Sequence, residues 1–382
     1  MIQSFKIRLM PTVEQEQLMW QHIGCCRFVW NYMLDLQKKR FENGEKHLSC
    51  FDMIKLLTPL KKELEYKWLN DVANTSLQIV CRDLSKAYDM LFKKIARAPK
   101  FKNRKFSKPS FPIRAGTMYF SESVVNIEKI GKVVFQTNYI LPLGKGFKFT
   151  NPRVSFVNNK WTLSFGMECE NQAPELTDIP MGIDLGIKET ATVAFGDEQI
   201  VFHNINKSKR VRNIERRIKH LQRSLSRKKN INGVKANTAN IEKLRKKIAK
   251  AFAHLANIRK DYTHKMTHEL VSKLPKIVVM EDLNVAGMMK NRHLSKAIAG
   301  QTFCEFIRQM QYKCEWNGIQ FMQVDRFFPS SKTCSNCGAI NRNLKLSDRT
   351  FVCPDCGFVI DRDYNAAVNL MRCGCLREKA SA

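Results

Sequence analysis

Two cysteine pairs constrain this chain more than any other feature. Cys334-Ser-Asn-Cys337 is followed, fifteen residues later, by Cys353-Pro-Asp-Cys356. Each CxxC closes a tight turn that aims two thiolates at one point, and Gly338 and Gly357 follow as knuckle residues. Four thiolates complete the tetrahedron that Zn2+ accepts and leave no open position for catalysis, so the spacing predicts a structural zinc ribbon over residues 330–358. A redox function would need only one such pair. Of the other cysteines, Cys25, Cys26, Cys50, Cys81, Cys169, Cys304 and Cys314 lie in apolar stretches and read as buried small hydrophobes. Cys373-Gly-Cys375 is not read as a metal site.

Charge narrows the partner. The 382 residues hold 65 Lys+Arg against 35 Asp+Glu, a formal net charge of +30. An excess of that size repels itself and points to a polyanion. At 44% hydrophobic the chain can build real cores, and its length suggests two or three domains. No apolar run reaches the roughly 18 residues of a membrane span. The opening MIQSFKIRLMPTVEQEQ has no apolar core of a secretory signal, so a cytoplasmic location with reduced thiols is expected.

The cations are clustered. From Lys93 to Arg114 there are nine Lys/Arg and no acid, punctuated by Phe101, Phe106 and Phe111, which favours a nucleic-acid surface over a solvated linker. From Asn204 to Lys260 there are 19 Lys/Arg against two acids, Glu215 and Glu242. One apolar stripe there runs through Val211, Ile214, Ile218, Leu221 and Leu225, another through Ile241, Leu244, Ile248, Leu255 and Ile258. Gly233 falls between them. The pattern predicts a helical hairpin with cationic outer faces, and Arg212, Arg216, Lys219 and Arg223 are the candidate nucleic-acid contacts.

Local patterning gives the rest of the plan. Residues 2–10 alternate as a strand ended by Pro11, and 12–98 are helical. Residues 116–172 read as two β-hairpins, one turning at Gly131 and one at Asn158-Asn159, joined by the loop-like LPLGKGFKFTNP. A small β-barrel or sandwich that recruits the N-terminal strand is expected. From Met181 the order is three strands, the basic insert, the strand PKIVVME, a helix over 295–317, the strand IQFMQVDRF and a last helix. That is the element order of an RNase H-like α/β fold.

Three acids stand out in that second half. In Met181-Gly-Ile-Asp184-Leu-Gly-Ile187 alternation puts Gly182, Asp184 and Gly186 on one face, which reads as open to a metal and a phosphate. Glu281 ends the apolar run Ile277–Met280, at the carboxyl end of a buried strand, where open α/β sheets place ligands. Asp361-Arg-Asp363-Tyr-Asn-Ala-Ala367 supplies a third acid ahead of a short helix to about Met371. Asp/Glu/Asp on adjacent strand ends and a helix start can hold two Mg2+ about 3.5–4 Å apart, the clamp that hydrolyses phosphodiesters.

GIDLGIKETATVAFG, VVMEDLNVAGM, SSKTCSNCG and CPDCGFVIDRDYNAAVNL resemble the RuvC-type nuclease motifs and zinc ribbon of the TnpB family, and KIRLMPTVEQEQLM resembles that family's opening. The resemblance is strongest over about 180–372. It implies a transposon-encoded, RNA-guided DNA endonuclease with Asp184, Glu281 and Asp363 as catalytic, Mg2+-holding acids. Asp363 is preferred to Asp361 because the family's acid lies two residues before the Asn of N-A-A, here Asn365. It further implies a guide RNA from the transposon end, a double-stranded DNA target beside a short motif, and no need for a protein oligomer. The domains implied are 1–12 and 116–178 as a wedge, 13–115 as a helical recognition lobe, and 179–329 as the RuvC-like nuclease with its insert at 205–262. The ribbon at 330–358 and a closing segment at 359–382 complete them. Two other readings compete: an RNA-guided DNA-binding repressor that has lost cleavage, and a cut-and-paste transposase. The first would be favoured by loss of an acid, and all three are present. The acid order argues against the second.

Overall fold

The computed structural model describes residues 2–138, 140–141, 147–168, 174–230, 239–345 and 347–381, with side chains left out at 230 and 375–381. The chain divides into two units, Met1–Glu170 and Asn171–Ala382.

In the first unit, β1 (Ile2–Met10) leads into helix α1 (Val13–Glu42) through a capping box. The Thr12 hydroxyl accepts from the Gln15 amide, and the Gln15 side chain accepts from the Thr12 amide. Glu16, in the same first turn, accepts from the Trp20 indole at 3.3 Å. Helices α2 (Cys50–Leu60) and α3 (Asn74–Phe92) follow, then β2 (Ser110–Pro112), β3 (Tyr119–Ser121), β4 (Val124–Ile127), β5 (Gly131–Gln136), β6 (Phe149–Val157) and β7 (Lys160–Glu168). These strands form one sheet in the order β2-β6-β7-β1-β5-β4-β3.

The N-terminal strand thus lies mid-sheet, antiparallel to both β7 and β5. Asn158 and Asn159 join β6 to β7 with φ of 53° and 63°. Both central residues of a type I′ turn need positive φ, and Asn accepts it at low cost. The sheet starts earlier than 116, because Ser110–Pro112 pairs with β6. Part of LPLGKGFKFTNP is strand as well: Phe149–Pro152 belong to β6, with a register shift after Thr150 and Asn151 at φ 47°. Residues 142–146 of that connection lie outside the described residues, as does Cys169. Phe120, Phe135, Phe149 and Phe165 meet at centroid distances of 5.2–5.4 Å, and the three helices share this sheet's core.

The second unit is built on β8 (Met181–Leu185), β9 (Glu189–Phe195), β10 (Glu198–His203), β11 (Ile277–Glu281) and β12 (Gln320–Val324), in the order β10-β9-β8-β11-β12. The first three strands are antiparallel neighbours, and β8, β11 and β12 run parallel. Between β10 and β11 come α4 (Lys209–Asn230) and α5 (Ala239–Ser272); between β11 and β12 come α6 (Val285–Met288), α7 (Ser295–Gln301) and α8 (Phe303–Trp316). The single helix expected over 295–317 is two, broken at Thr302 with φ 57°. The hairpin β13 (Thr350–Val352) and β14 (Val359–Asp361) precedes α9 (Arg362–Ser381), which runs well past Met371.

Strand β11 is buried on both faces, which is why it reads as an unbroken apolar run. Val278 and Met280 join Met181 and Ile183 against Met266 and Leu270 of α5 and Phe306 and Met310 of α8. Ile277 and Val279 face the other way, with Leu370 of α9.

Candidate metal centres and cationic face

Helix α9 explains the glycine ahead of Asp184. A Cβ on Gly182 would lie 2.1 Å from the Ala367 carbonyl oxygen and 2.4 Å from the Met371 amide nitrogen. The face expected to be open is therefore covered at Gly182, where glycine lets a helix backbone rest on the strand. Buried Ala366 and Ala367 keep that helix surface flat. Gly374 repeats the device, since its Cβ would stand 3.1 Å from methyls of Ile277 and Val279.

The close packing brings the start of α9 to the ends of β8 and β11. Met280 pairs with Ile183, so the same register carried one residue on sets Glu281 beside Asp184, on the face that α9 covers. Asp363 arrives in the first turn of α9. Burial first, then the neighbouring charges of Glu281 and Asp363, push the Asp184 carboxyl up to about 8. Its carboxylate has no hydrogen-bond or ion-pair partner among the described residues. The Ser330 hydroxyl donates to Glu281. Asp363 accepts from Arg362 at 3.1 Å and lies 3.8 Å from Arg349. An unpartnered acid crowded by two others is a donor set that a hard divalent cation relieves, and oxygen ligands suit Mg2+.

Asp361 has a different task. Its Oδ1 accepts from the amides of Asp363 and Tyr364, both at 3.0 Å, so it is the N-cap of α9. The carboxylate two residues on is left to the cluster.

The four thiols converge more tightly, all within 4.8 Å of one another, and no other potential ligand group among the described residues does so. Cys334 and Cys356 stand 3.8 Å apart, Cys337 and Cys353 3.5 Å. Each CxxC turn is closed by a glycine amide, Gly338 to the Cys334 carbonyl at 2.9 Å and Gly357 to that of Cys353 at 3.2 Å. Both glycines have positive φ, 81° and 71°. The amides of Asn336 and Cys356 point at the sulfurs of Cys334 and Cys353, at 3.4 and 3.5 Å, which stabilises thiolate. This set fits a closed Zn2+ site.

One helix ties the two clusters together. Buried Asn365 donates to the Thr333 carbonyl and accepts from the Ser335 amide at 2.7 and 3.0 Å. One turn on, Asn369 donates to the carbonyls of Ser330 and Thr333, each at 2.7 Å, and Arg372 donates to that of Ser335. Sequence reading missed Ser330 and these anchors. The Asn pair at i, i+4 inside an apolar helix face was the available signal.

Helices α4 and α5 pack through Val211, Ile218 and Leu255, while Arg212, Arg216, Lys219 and Arg223 are exposed along α4. Glu215 is spoken for by Arg259 at 3.2 Å and Lys296 at 3.4 Å, so it does little to offset that face. The turn expected at Gly233 lies outside the described residues. Among the remaining cysteines, Cys25, Cys26, Cys81 and Cys314 are buried and Cys50 partly so, but Cys304 is exposed, because it sits on the outward side of α8. Cys373 is half-buried; the Cys375 side chain is outside the described set.

Three family models match the chain: "Cas12f1-like, TNB domain" over 303–370, "Probable transposase" over 164–292 and "Helix-turn-helix domain" over 1–46. In that last stretch this structure has β1 and one long helix. A "Putative RNA-guided DNA endonuclease" of Streptomyces pristinaespiralis is 32% identical over 372 residues, covering 97% of this chain and 89% of that protein. The chain belongs to the family of TnpB-like RNA-guided DNA endonucleases. Another TnpB-like relative, "Putative RNA-guided DNA endonuclease InsQ" of Escherichia coli K12, is 31% identical, with 98% and 92% of the two chains covered. The family's fold extends to the Cas12f1 of a Cas12f1-sgRNA-target DNA complex, with a TM-score of 0.64 at 12% identity over 97% of this chain and 98% of that one.

Proposed function

We propose that this chain is a transposon-encoded, RNA-guided, Mg2+-dependent DNA endonuclease. It cuts double-stranded DNA matched to a bound guide RNA from the transposon end, beside a short target-adjacent motif. The observation that carries this reading is the gathering of Asp184, Glu281 and Asp363 from two adjacent parallel strand ends and one helix start. On this reading 179–329 and 359–382 form a RuvC-like nuclease with its insert at 205–262, and 330–358 is a zinc ribbon. Residues 1–12 and 116–178 act as the wedge and 13–115 as the recognition lobe.

Divalent cations held by the three acids supply Lewis-acid stabilisation of charge on the scissile phosphate. The chain supplies the frame. Ser330 orients Glu281, Arg362 and Arg349 steady Asp363, and the backing of α9 fixes both against Asp184. No helix among the described residues is long and apolar enough to cross a membrane. Cytoplasmic action at the nucleoid, without a protein oligomer, belongs to the same proposal.

Purification from the native locus, sequencing of bound RNA and plasmid cleavage test it. A defined RNA and Mg2+-dependent cutting of the matched plasmid are expected. A defined RNA without cutting would make the chain a DNA-binding repressor, and absence of RNA would sink the guided reading. The exposed α4 cations should carry part of the binding. With at least about six phosphate contacts, the log–log salt slope should be near −5 or steeper. Replacing Arg212, Arg216, Lys219 and Arg223 with Gln should flatten it by about three units, and an unchanged slope removes that face from the interface.

A further inference from the structure

The first unit contains a cationic pocket that the nuclease reading leaves unused. Its volume is about 490 Å³, and Trp20, Arg27, Lys102, Arg104, Lys108 and Arg153 line it. Buried Ile23 and Val80 give it an apolar floor. No acid lines the pocket. Arg153 is paired with Asp83 at 2.5 Å, whereas Arg27, Arg104 and Lys108 have no ion-pair partner among the described residues.

The pocket wall is built, not incidental. Residues 100–108 come from the run whose interleaved cations and aromatics favour a nucleic-acid surface over a solvated linker, and the structure straps them to α1. The Trp30 indole donates to the Lys100 carbonyl at 3.0 Å. Asn31 donates to the Lys102 carbonyl at 2.8 Å and accepts from the Lys102 amide at 2.7 Å. The Lys102 ammonium lies 3.6 Å from the centre of the Trp30 ring. Asn103 then closes a turn, accepting from the amides of Lys105 and Phe106. Arg104 and Lys108 are therefore presented from a fixed loop. Of the run's three phenylalanines, Phe111 is core while Phe106 is 87% exposed.

We propose that this pocket receives one unstacked nucleotide of the bound nucleic acid, with its phosphate on Arg27, Arg104 and Lys108 and its base against Trp20. Three unpaired cations with no acid select an anion, and guanidinium groups match phosphate in paired hydrogen bonds. The apolar floor adds a preference for a flat, partly apolar group. A cavity of this size suits a ligand of nucleotide dimensions. Trp20 is 39% exposed, yet it is braced edge-on by Phe156 at 4.9 Å and Trp161 at 5.1 Å. Its ring is thus held ready for a base before one arrives. Bases that leave the helical stack are the ones proteins can capture in this way. The inference deepens the proposed function and rests on it. The nucleotide's source is the guide RNA or the target DNA, which share this chemistry.

Ultraviolet cross-linking of the full chain with its co-purified RNA, before and after adding matched DNA, tests the assignment by peptide mass spectrometry. A nucleotide adduct is expected on the peptide spanning Trp20 to Arg27 or on that spanning 102–108. An adduct in the RNA complex assigns the pocket to the guide; one that needs DNA assigns it to the target. The double variant Arg27→Gln, Arg104→Gln should lose the adduct and make a single nucleotide newly reactive to chemical probing, with thermal unfolding unchanged. Uniformly weaker binding without that single-nucleotide change would overturn the pocket. Adducts elsewhere but none on these peptides would overturn it too, while leaving the guided reading standing. If no nucleic acid co-purifies, both fall.

Discussion

The thiol cluster and the carboxylate cluster are two metal-type donor sets in the same unit, assembled in opposite ways. The thiols come from 23 consecutive positions, Cys334 to Cys356, and each pair is closed by its own glycine turn. The acids come from positions 184, 281 and 363, and only strand register and the α9 contact with Gly182 bring them together. The thiols are drawn to within 4.8 Å, a closed set. The acids are looser, and Asp184 has no hydrogen-bond partner among the described residues. A closed sulfur set stores folding free energy, while an open oxygen set reserves its valence for ions and substrate.

The sharpest way to break this contrast is to remove one ligand from each cluster. Asp184→Ala, Glu281→Gln and Asp363→Ala should each lower the cleavage rate by at least about a hundredfold, the loss typical of deleting one preorganised charge-stabilising group. Guide and target affinity should change little, because binding rests on dispersed cations and base pairing. Filter binding alongside a cleavage time course separates the two effects. Normal cutting by all three variants would end the nuclease assignment.

Cys337→Ser should act the other way round. Bound zinc should fall from about one per chain towards zero, since three thiolates and a hydroxyl hold it far more weakly. Hydrogen exchange should rise first over 330–358. Full zinc content and activity in that variant would remove the closed-site reading.

How much of this could be read from the residues follows from the same contrast. The thiol set was legible because its geometry is local: two CxxC turns and their glycines specify it without reference to any other element. The acids could be picked out by residue type and strand position, but their meeting depends on β8 and β11 being parallel neighbours, which no local pattern encodes. Gly182 shows the limit most clearly. Its lack of a side chain was visible and its purpose was misjudged, because the partner is the backbone of a helix 185 residues further on at Ala367. Thr302 is similar: Gly300 stands two residues earlier, but the left-handed residue at the break is a threonine, which carries no such signal.

The contrast can be sharpened at the residues joining the clusters. Asn365 is fully buried and bonded to both Thr333 and Ser335. Asn365→Ala strands the buried Ser335 amide, while the Thr333 carbonyl keeps Asn369 as a donor, and the loss should cost about 1–3 kcal/mol of stability. If α9 carries the ribbon and the acids as one body, cleavage should fall alongside while zinc stays bound. Activity that stays at the wild-type level in the destabilised variant would mean that the clusters are built independently.

The smallest expected effect is the most discriminating for Asp363. Asp361 lies two residues from it, is exposed, and spends its Oδ1 on the first two free amides of α9. Asp361→Ala removes a helix cap, which costs about 1 kcal/mol, and removes no ligand. Melting temperature should therefore drop slightly while Mg2+-dependent cleavage stays within a few-fold of wild type. Asp361→Asn or Asp361→Ser should restore the lost stability, since either side chain caps nearly as well without a charge. A ligand could not be replaced in this way, so rescue by an uncharged cap separates helix capping from metal binding. Should Asp361→Ala be inactive and Asp363→Ala active, the two acids exchange roles, and the third ligand would come from the end of β14 instead of the first turn of α9.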